Sequence, residues 1–241
     1  MSIFLVGSGE PGGLTQVWNE FAAEAGQIAS LSDRAGAPTV AVVIVHEGDG
    51  DARANNVESV LSQVDGVSVT VRTLLAEDGQ SLRAEDFMDV DGIVVAGGLT
   101  PVYRTVLSQA AETIRELVGG GVPYLGFSAG AAIAAERALI GGWQIGGVQV
   151  APEPASEGLD EVTIADGLGL IDLSIEVHAA QWGTLTRLIA AAEAGLVEAG
   201  IGLDEETALI VGQGPLRVVG AGSVWRVQTA DSRVIVSSMG A

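Results

Sequence analysis

Two runs in the first hundred residues, Val40–Val45 and Gly92–Val95, contain no polar position. A strand that alternates polar and apolar residues can keep one face in water, whereas one that is apolar throughout must be covered on both faces. That requirement points to a parallel sheet enclosed by helices. Further strand-like runs bounded by turn residues lie at Ser2–Val6, Val67–Leu74 and Pro123–Phe127. Helical patterns separate the runs at Leu14–Ala25, Asn55–Val64, Ser81–Phe87 and Pro101–Leu117. Pro101 suits a first helical turn, where its missing N–H goes unneeded. The alternation through residue 135 predicts an α/β fold, a doubly wound and mostly parallel sheet flanked by helices.

After Gly141-Gly142 the pattern loosens. A strand is expected at Leu173–Val177 and a helix at Thr184–Ala199. Short strands follow at Ala208–Val211, Arg217–Val219, Val224–Gln228 and Arg233–Val236, punctuated by Gly, Asp and Ser. They predict a C-terminal antiparallel extension on the sheet edge. With no repeat or linker in view, residues 1–241 are expected to form a single α/β domain.

Composition removes whole classes of chemistry. The net charge of −20 argues against nucleic acid as a partner, because phosphate recognition needs a basic surface. No apolar run reaches membrane-spanning length, and no basic stretch precedes an apolar one, so no membrane association or export signal is expected. Cysteine is absent, which excludes disulfides, thiolate nucleophiles and thiolate metal sites and makes a cytoplasmic location the default expectation. All 11 basic residues are arginine, so there is no lysine for a P-loop, a Schiff base or a Ser-Lys pair. The two histidines, His46 and His178, lack metal-motif spacing, and neither a metal nor another cofactor is expected.

Against that background Gly126-Phe127-Ser128-Ala129-Gly130 stands out as G-x-S-x-G directly after an apolar strand and before an Ala-rich helix. This is the setting of a nucleophile elbow, a sharp turn that presents a serine at the end of a sheet. Ser128 is the candidate nucleophile, and the Ala129 N–H, freed at a helix start, is a candidate oxyanion donor. Gly97-Gly98 follows the preceding strand and reaches the same carboxyl edge, where Gly98 offers a second N–H. His178 ends a predicted strand some fifty residues after Ser128 and is the candidate general base, with His46 as the reserve. Glu176, two residues before His178, shares its strand face and is placed as the carboxylate that orients it; a solvated Glu176 is the alternative.

Gly97-Gly98, Ser128-Ala129-Gly130-Ala131-Ala132, His178 with Arg187, and Gly202-Leu203-Asp204-Glu205-Glu206-Thr207-Ala208-Leu209 occur in this order. In that series the chain resembles the serine peptidase family of cyanophycinase and dipeptidase E, which has a class I glutamine amidotransferase-like fold. The resemblance runs from about residue 90 to 212. It implies an acyl-enzyme on Ser128, His178 as base and Gly98 with Ala129 as oxyanion hole. It also implies a small peptide-like substrate and is compatible with monomers or homodimers. Asp204-Glu205-Glu206-Thr207 matches a family segment beneath the site, read as structural support.

The chain departs from that family in two places. Trp143 stands where an acidic residue is common, which leaves Glu176, Glu153 and Glu205 as candidates for the third member of the triad. Trp182 and Thr184 occupy positions where arginines are expected, and only Arg187 is retained. Arg187, Trp182 and Thr184 are accordingly expected at the substrate, with Trp182 and Trp143 as apolar or stacking walls. Two lost guanidinium groups forfeit charge-assisted bonds of about 1.5–3 kcal/mol each, so a preference for acidic substrates is not carried over. Two other readings stand beside the hydrolase: a non-catalytic or ligand-binding member of the same fold, and an α/β-hydrolase-type esterase. The esterase is disfavoured because its histidine usually lies near the chain end. A glutamine amidotransferase proper is excluded by the absent cysteine.

Overall fold

The two apolar runs form adjacent interior strands. The computed structural model describes residues 2–32, 36–231 and 233–240. Its first half contains β1 (Ile3–Val6), α1 (Thr15–Leu31), β2 (Thr39–Val45), α2 (Gly50–Leu61), β3 (Thr70–Ala76), β4 (Gly92–Val95), α3 (Thr100–Leu107), α4 (Ala111–Gly119), β5 (Tyr124–Phe127) and α5 (Ala129–Ala132). The second half contains β6 (Arg137–Gly141), β7 (Gln144–Ile145), β8 (Val148–Gln149), β9 (Thr163–Asp166), β10 (Ser174–Glu176), α6 (Leu185–Glu193), β11 (Ala199–Leu203), β12 (Thr207–Val211), β13 (Arg217–Gly220), β14 (Ser223–Ala230) and β15 (Arg233–Gly240).

A seven-stranded sheet runs in the order β13-β12-β1-β5-β4-β2-β3. The strands from β1 to β3 in that order are mutually parallel, and β12 and β13 add antiparallel at the β1 edge. Val40 to Val45 and Ile93 to Val95 are all buried, as strands covered on both faces must be. Helix α1 lies so close to β4 that a Cβ on Gly92 would stand 2.9 Å from the Phe21 ring. Buried Tyr103 of α3 accepts the Val45 N–H at 3.0 Å and ties that helix to the carboxyl end of β2.

A second sheet, β10-β11-β14-β15, pairs β10 and β11 in parallel and the rest antiparallel. Its β10 end meets the first sheet where the His178 N–H donates to the Gly7 carbonyl, at 3.2 Å. The loops after β1, β4, β5, β10 and β11 thereby converge.

Several expected elements take a different form. The helix expected at Pro101–Leu117 is two helices, because Ser108 Oγ turns back onto the Thr105 carbonyl at 2.7 Å and the Ala110 N–H closes a tight turn on Leu107. Ser81–Phe87 yields only a 3-10 turn at Ala84–Phe87. The Thr184–Ala199 helix stops at Glu193, where Gly195 at φ +70° lets the chain reverse. The residues after it make β11, which the sequence reading missed. The Ala-rich helix after Ser128 is one turn long. The C-terminal strands divide between both sheets, and the small ribbons β6/β9 and β7/β8 were not expected.

Among the described residues no helix is long and apolar enough to cross a membrane. No three histidine or carboxylate side chains among them gather closely enough to hold a metal ion.

Candidate active site

Ser128 sits between β5 and α5 with φ +48° and ψ −110°, a conformation costly for any residue with a Cβ. The turn is held from both sides. A Cβ on Gly126 would stand 2.5 Å from the Gly130 carbonyl, and one on Gly130 would stand 2.2 Å from the Val95 carbonyl. Both elbow glycines are therefore dictated by backbone contact. The Ser128 N–H donates to Val6 at 3.0 Å, and the Tyr124 hydroxyl donates to the Gly130 carbonyl at 2.7 Å.

Ser128 Oγ lies 2.9 Å from His178 Nε2, and His178 Nδ1 lies 2.7 Å from Glu205 Oε1. An ionised carboxylate only accepts, so Nδ1 carries the imidazole proton and Nε2 is left to accept from the serine hydroxyl. His178 has φ +54°, which bends the chain off β10 and swings the ring toward β5. Burial pulls the His178 pKa below its usual value, while the hydrogen bond and charge of Glu205 oppose that fall. The net direction favours the neutral imidazole. The indole of Trp182 lies flat on the imidazole, with centroids 3.8 Å apart and planes at 6°.

The Gly97-Gly98 loop closes on the serine. A Cβ on Gly97 would stand 3.0 Å from the Ser128 Cβ. The amides of Gly98 and Ala129 donate to no acceptor among the described residues, so both remain open to an incoming oxygen. Because α5 is a single turn, the Ala129 N–H stands at its start without an extended helix dipole behind it.

Gly97, Gly98, Ser128 and His178 border a cavity of about 640 Å³ that is also lined by Arg53, Asn56, Glu157 and Trp182. Arg53 was missed by the sequence reading, although a helix following a parallel strand begins at this same edge. Its guanidinium donates to the Val45 carbonyl at 2.7 Å and to the Gly97 carbonyl, and so braces the Gly97-Gly98 loop. Glu157 was also missed; it arrives on the excursion between β8 and β9, whose path no local pattern announces. Glu157 Oε2 accepts the Thr100 N–H at 3.0 Å, and burial raises its pKa above the usual carboxylate range.

Four sequence expectations need correction. Glu176 does not reach His178, since its side chain points into the protein and makes a two-pronged ion pair with Arg187 at 2.7 and 2.8 Å. Arg187 is correspondingly buried away from the cavity, with Nη1 donating to the carbonyls of Gly142 and Ala155 at 3.0 and 2.6 Å. Thr184 is also buried, its hydroxyl donating to the Val177 carbonyl at 2.6 Å in front of α6. Trp143 stays outside the cavity and donates weakly to Asp160 at 3.4 Å, so of the two expected tryptophan walls only Trp182 is present. His46, the reserve base, accepts the Gly48 N–H at 3.0 Å and does not border the serine's cavity. Of the carboxylates Glu176, Glu153 and Glu205, it is Glu205 that hydrogen-bonds His178. Its neighbour Asp204 is the structural knot of that segment, accepting from Ala180, Ser223 and Trp225.

Comparison with known proteins agrees with this architecture. The family model for peptidase family S51 matches residues 38–219. Over 145 residues the chain is 37% identical to the cyanophycinase of Synechococcus elongatus, covering 58% of this chain and 42% of that protein. It is 36% identical to the cyanophycinase of Trichormus variabilis over the same length, 46% of that protein. The chain thus spans less than half the length of these relatives. Among solved structures, a peptidase from an acI-B1 actinobacterium superposes with TM-score 0.65 at 18% identity, covering 99% of this chain and 96% of the other. A protein provisionally assigned as peptidase E from Listeria monocytogenes superposes with TM-score 0.56 at 18% identity, covering 92% and 98%. At such identity the two structures speak for the fold alone.

Proposed function

Because the chain belongs to peptidase family S51, we propose that it is a serine hydrolase, a peptidase or amidase that cleaves a small peptide-like substrate through an acyl-enzyme on Ser128. The observation that carries this reading is the unbroken chain Ser128 Oγ, His178 Nε2, His178 Nδ1 and Glu205 Oε1, with spacings of 2.9 and 2.7 Å at its two hydrogen bonds. Ser128 Oγ attacks the scissile carbonyl carbon while its proton passes to His178 Nε2. The carbonyl oxygen becomes an oxyanion facing the amides of Gly98 and Ala129. As the C–N bond breaks, Nε2 returns the proton to the leaving nitrogen. Water, deprotonated by the same nitrogen, then cleaves the ester and restores the serine. Glu205 holds the ring in the required tautomer and balances the imidazolium formed midway. Arg53 keeps the Gly98 amide aimed by holding the Gly97 carbonyl.

The test is labelling with a fluorophosphonate probe. Wild type is expected to label at one site, and Ser128→Ala and His178→Ala to lose labelling while keeping the wild-type circular dichroism. Labelling that survives Ser128→Ala would discard this site.

A further inference from the structure

The imidazole of His178 is covered on one face by Trp182. That indole is 45% exposed, and it also borders a smaller cavity of about 400 Å³ completed by Pro152, Pro154 and Ala155. Trp182 and Pro154 line both this cavity and the one holding Ser128, so the two adjoin. The lining carries no charged side chain. Its wall is also fixed in place. Arg187, itself clamped by Glu176, donates to the Ala155 carbonyl at 2.6 Å, and Thr186 Oγ1 donates to the Val150 carbonyl at 2.6 Å. Two prolines stiffen the same turn.

We infer that this smaller cavity is the subsite for the leaving side of the substrate and takes an apolar side chain, aliphatic or aromatic. The inference rests on the proposed role of His178 as proton donor to the departing nitrogen. That nitrogen must come within hydrogen-bond reach of Nε2, which brings its residue up against the imidazole and the indole covering it. Beyond the indole the surface is apolar. A carboxylate entering there would meet no charged side chain in the lining, since Arg187 already faces Glu176, Gly142 and Ala155. An aliphatic or aromatic side chain would leave water for a preformed apolar wall.

The test is protection of Ser128 from a fluorophosphonate by amino acid amides, which mimic the departing amine and require no knowledge of the acyl side. Leucinamide and phenylalaninamide are expected to halve the labelling rate at concentrations about tenfold or more below that of glycinamide, as a hydrophobic pocket discriminates. Pro152→Ser and Trp182→Ala are each expected to shrink that ratio to less than about threefold. The ratio is taken within each variant, so a change in Ser128 reactivity cancels. Protection by argininamide or aspartic acid α-amide as strong as by leucinamide, or no difference among the amides, overturns the inference and leaves the Ser128 reading standing. Failure of the folded wild type to label removes that reading, and the inference with it.

Discussion

Replacing Glu205 by Gln tests the site where it departs from the sequence reading. The substitution keeps the size of the side chain and removes the charge that faces the imidazolium. A carboxylate and an imidazolium with charge centres about 4 Å apart attract by roughly 4 kcal/mol at an effective dielectric near 20. Glu205 is 28% exposed, so water screens part of that attraction. Retaining roughly 2–3 kcal/mol of it in the transition state gives a rate loss of about 30- to 160-fold. The readout is the second-order rate constant for fluorophosphonate labelling at neutral pH, with thermal unfolding followed in parallel. Stability is expected to change little, because the pair is partly solvated. Glu176→Gln is expected to show the reverse. Removing one partner of its buried ion pair costs about 3–5 kcal/mol of stability, while the folded fraction keeps the wild-type labelling rate to within about threefold, because Glu176 does not touch the imidazole. If Glu205→Gln labels at the wild-type rate and folded Glu176→Gln is inert, the assignment of the orienting carboxylate is refuted.

The remaining predictions follow from the same geometry. The acid limb of kcat/KM reports His178 in the free protein; burial places it below the ordinary histidine value, and Glu205→Gln shifts it lower still by removing the opposing effect. A limb that moves to higher pH in that variant would contradict this balance. Ser128→Gly is expected to be about 1 kcal/mol more stable than Ser128→Ala, because φ +48° strains any residue with a Cβ; chemical denaturation compares the two. Glu157→Gln is expected to raise the melting temperature at neutral pH. The raised pKa of Glu157 means that its neutral form suits the folded state, so its penalty is full above the folded pKa and disappears below the unfolded value of 4.5. Melting curves for both proteins from neutral to acidic pH should converge at the acidic end.

The strands at the centre of the sheet were legible because burial on both faces leaves a purely local mark, an uninterrupted apolar run such as Val40–Val45. The elbow was legible for a partly similar reason: Gly126 is set by contact with the Gly130 backbone four residues on, a local constraint, whereas Gly130 answers to the Val95 carbonyl of the neighbouring strand. Elements with mixed determinants were harder to read. The break between α3 and α4 depends on Ser108 bonding back to the Thr105 carbonyl, which leaves the helical periodicity intact. Strand β11 looked like the tail of a helix until Gly195 reversed the chain.

The sequence alone determined that Ser128 stands at the carboxyl edge of a parallel sheet and that only two histidines are available to serve it. Tertiary structure decided which carboxylate meets His178. On an isolated strand Glu176 shares the face of His178, yet φ +54° at His178 ends the strand and turns the imidazole away. Glu176 is left facing Arg187 in the interior, and Glu205 arrives from 27 residues downstream because β11 pairs in parallel with β10. Local spacing fixes which residues share a face only while the backbone keeps its period. At the residue where the chain turns, contacts between distant segments take over.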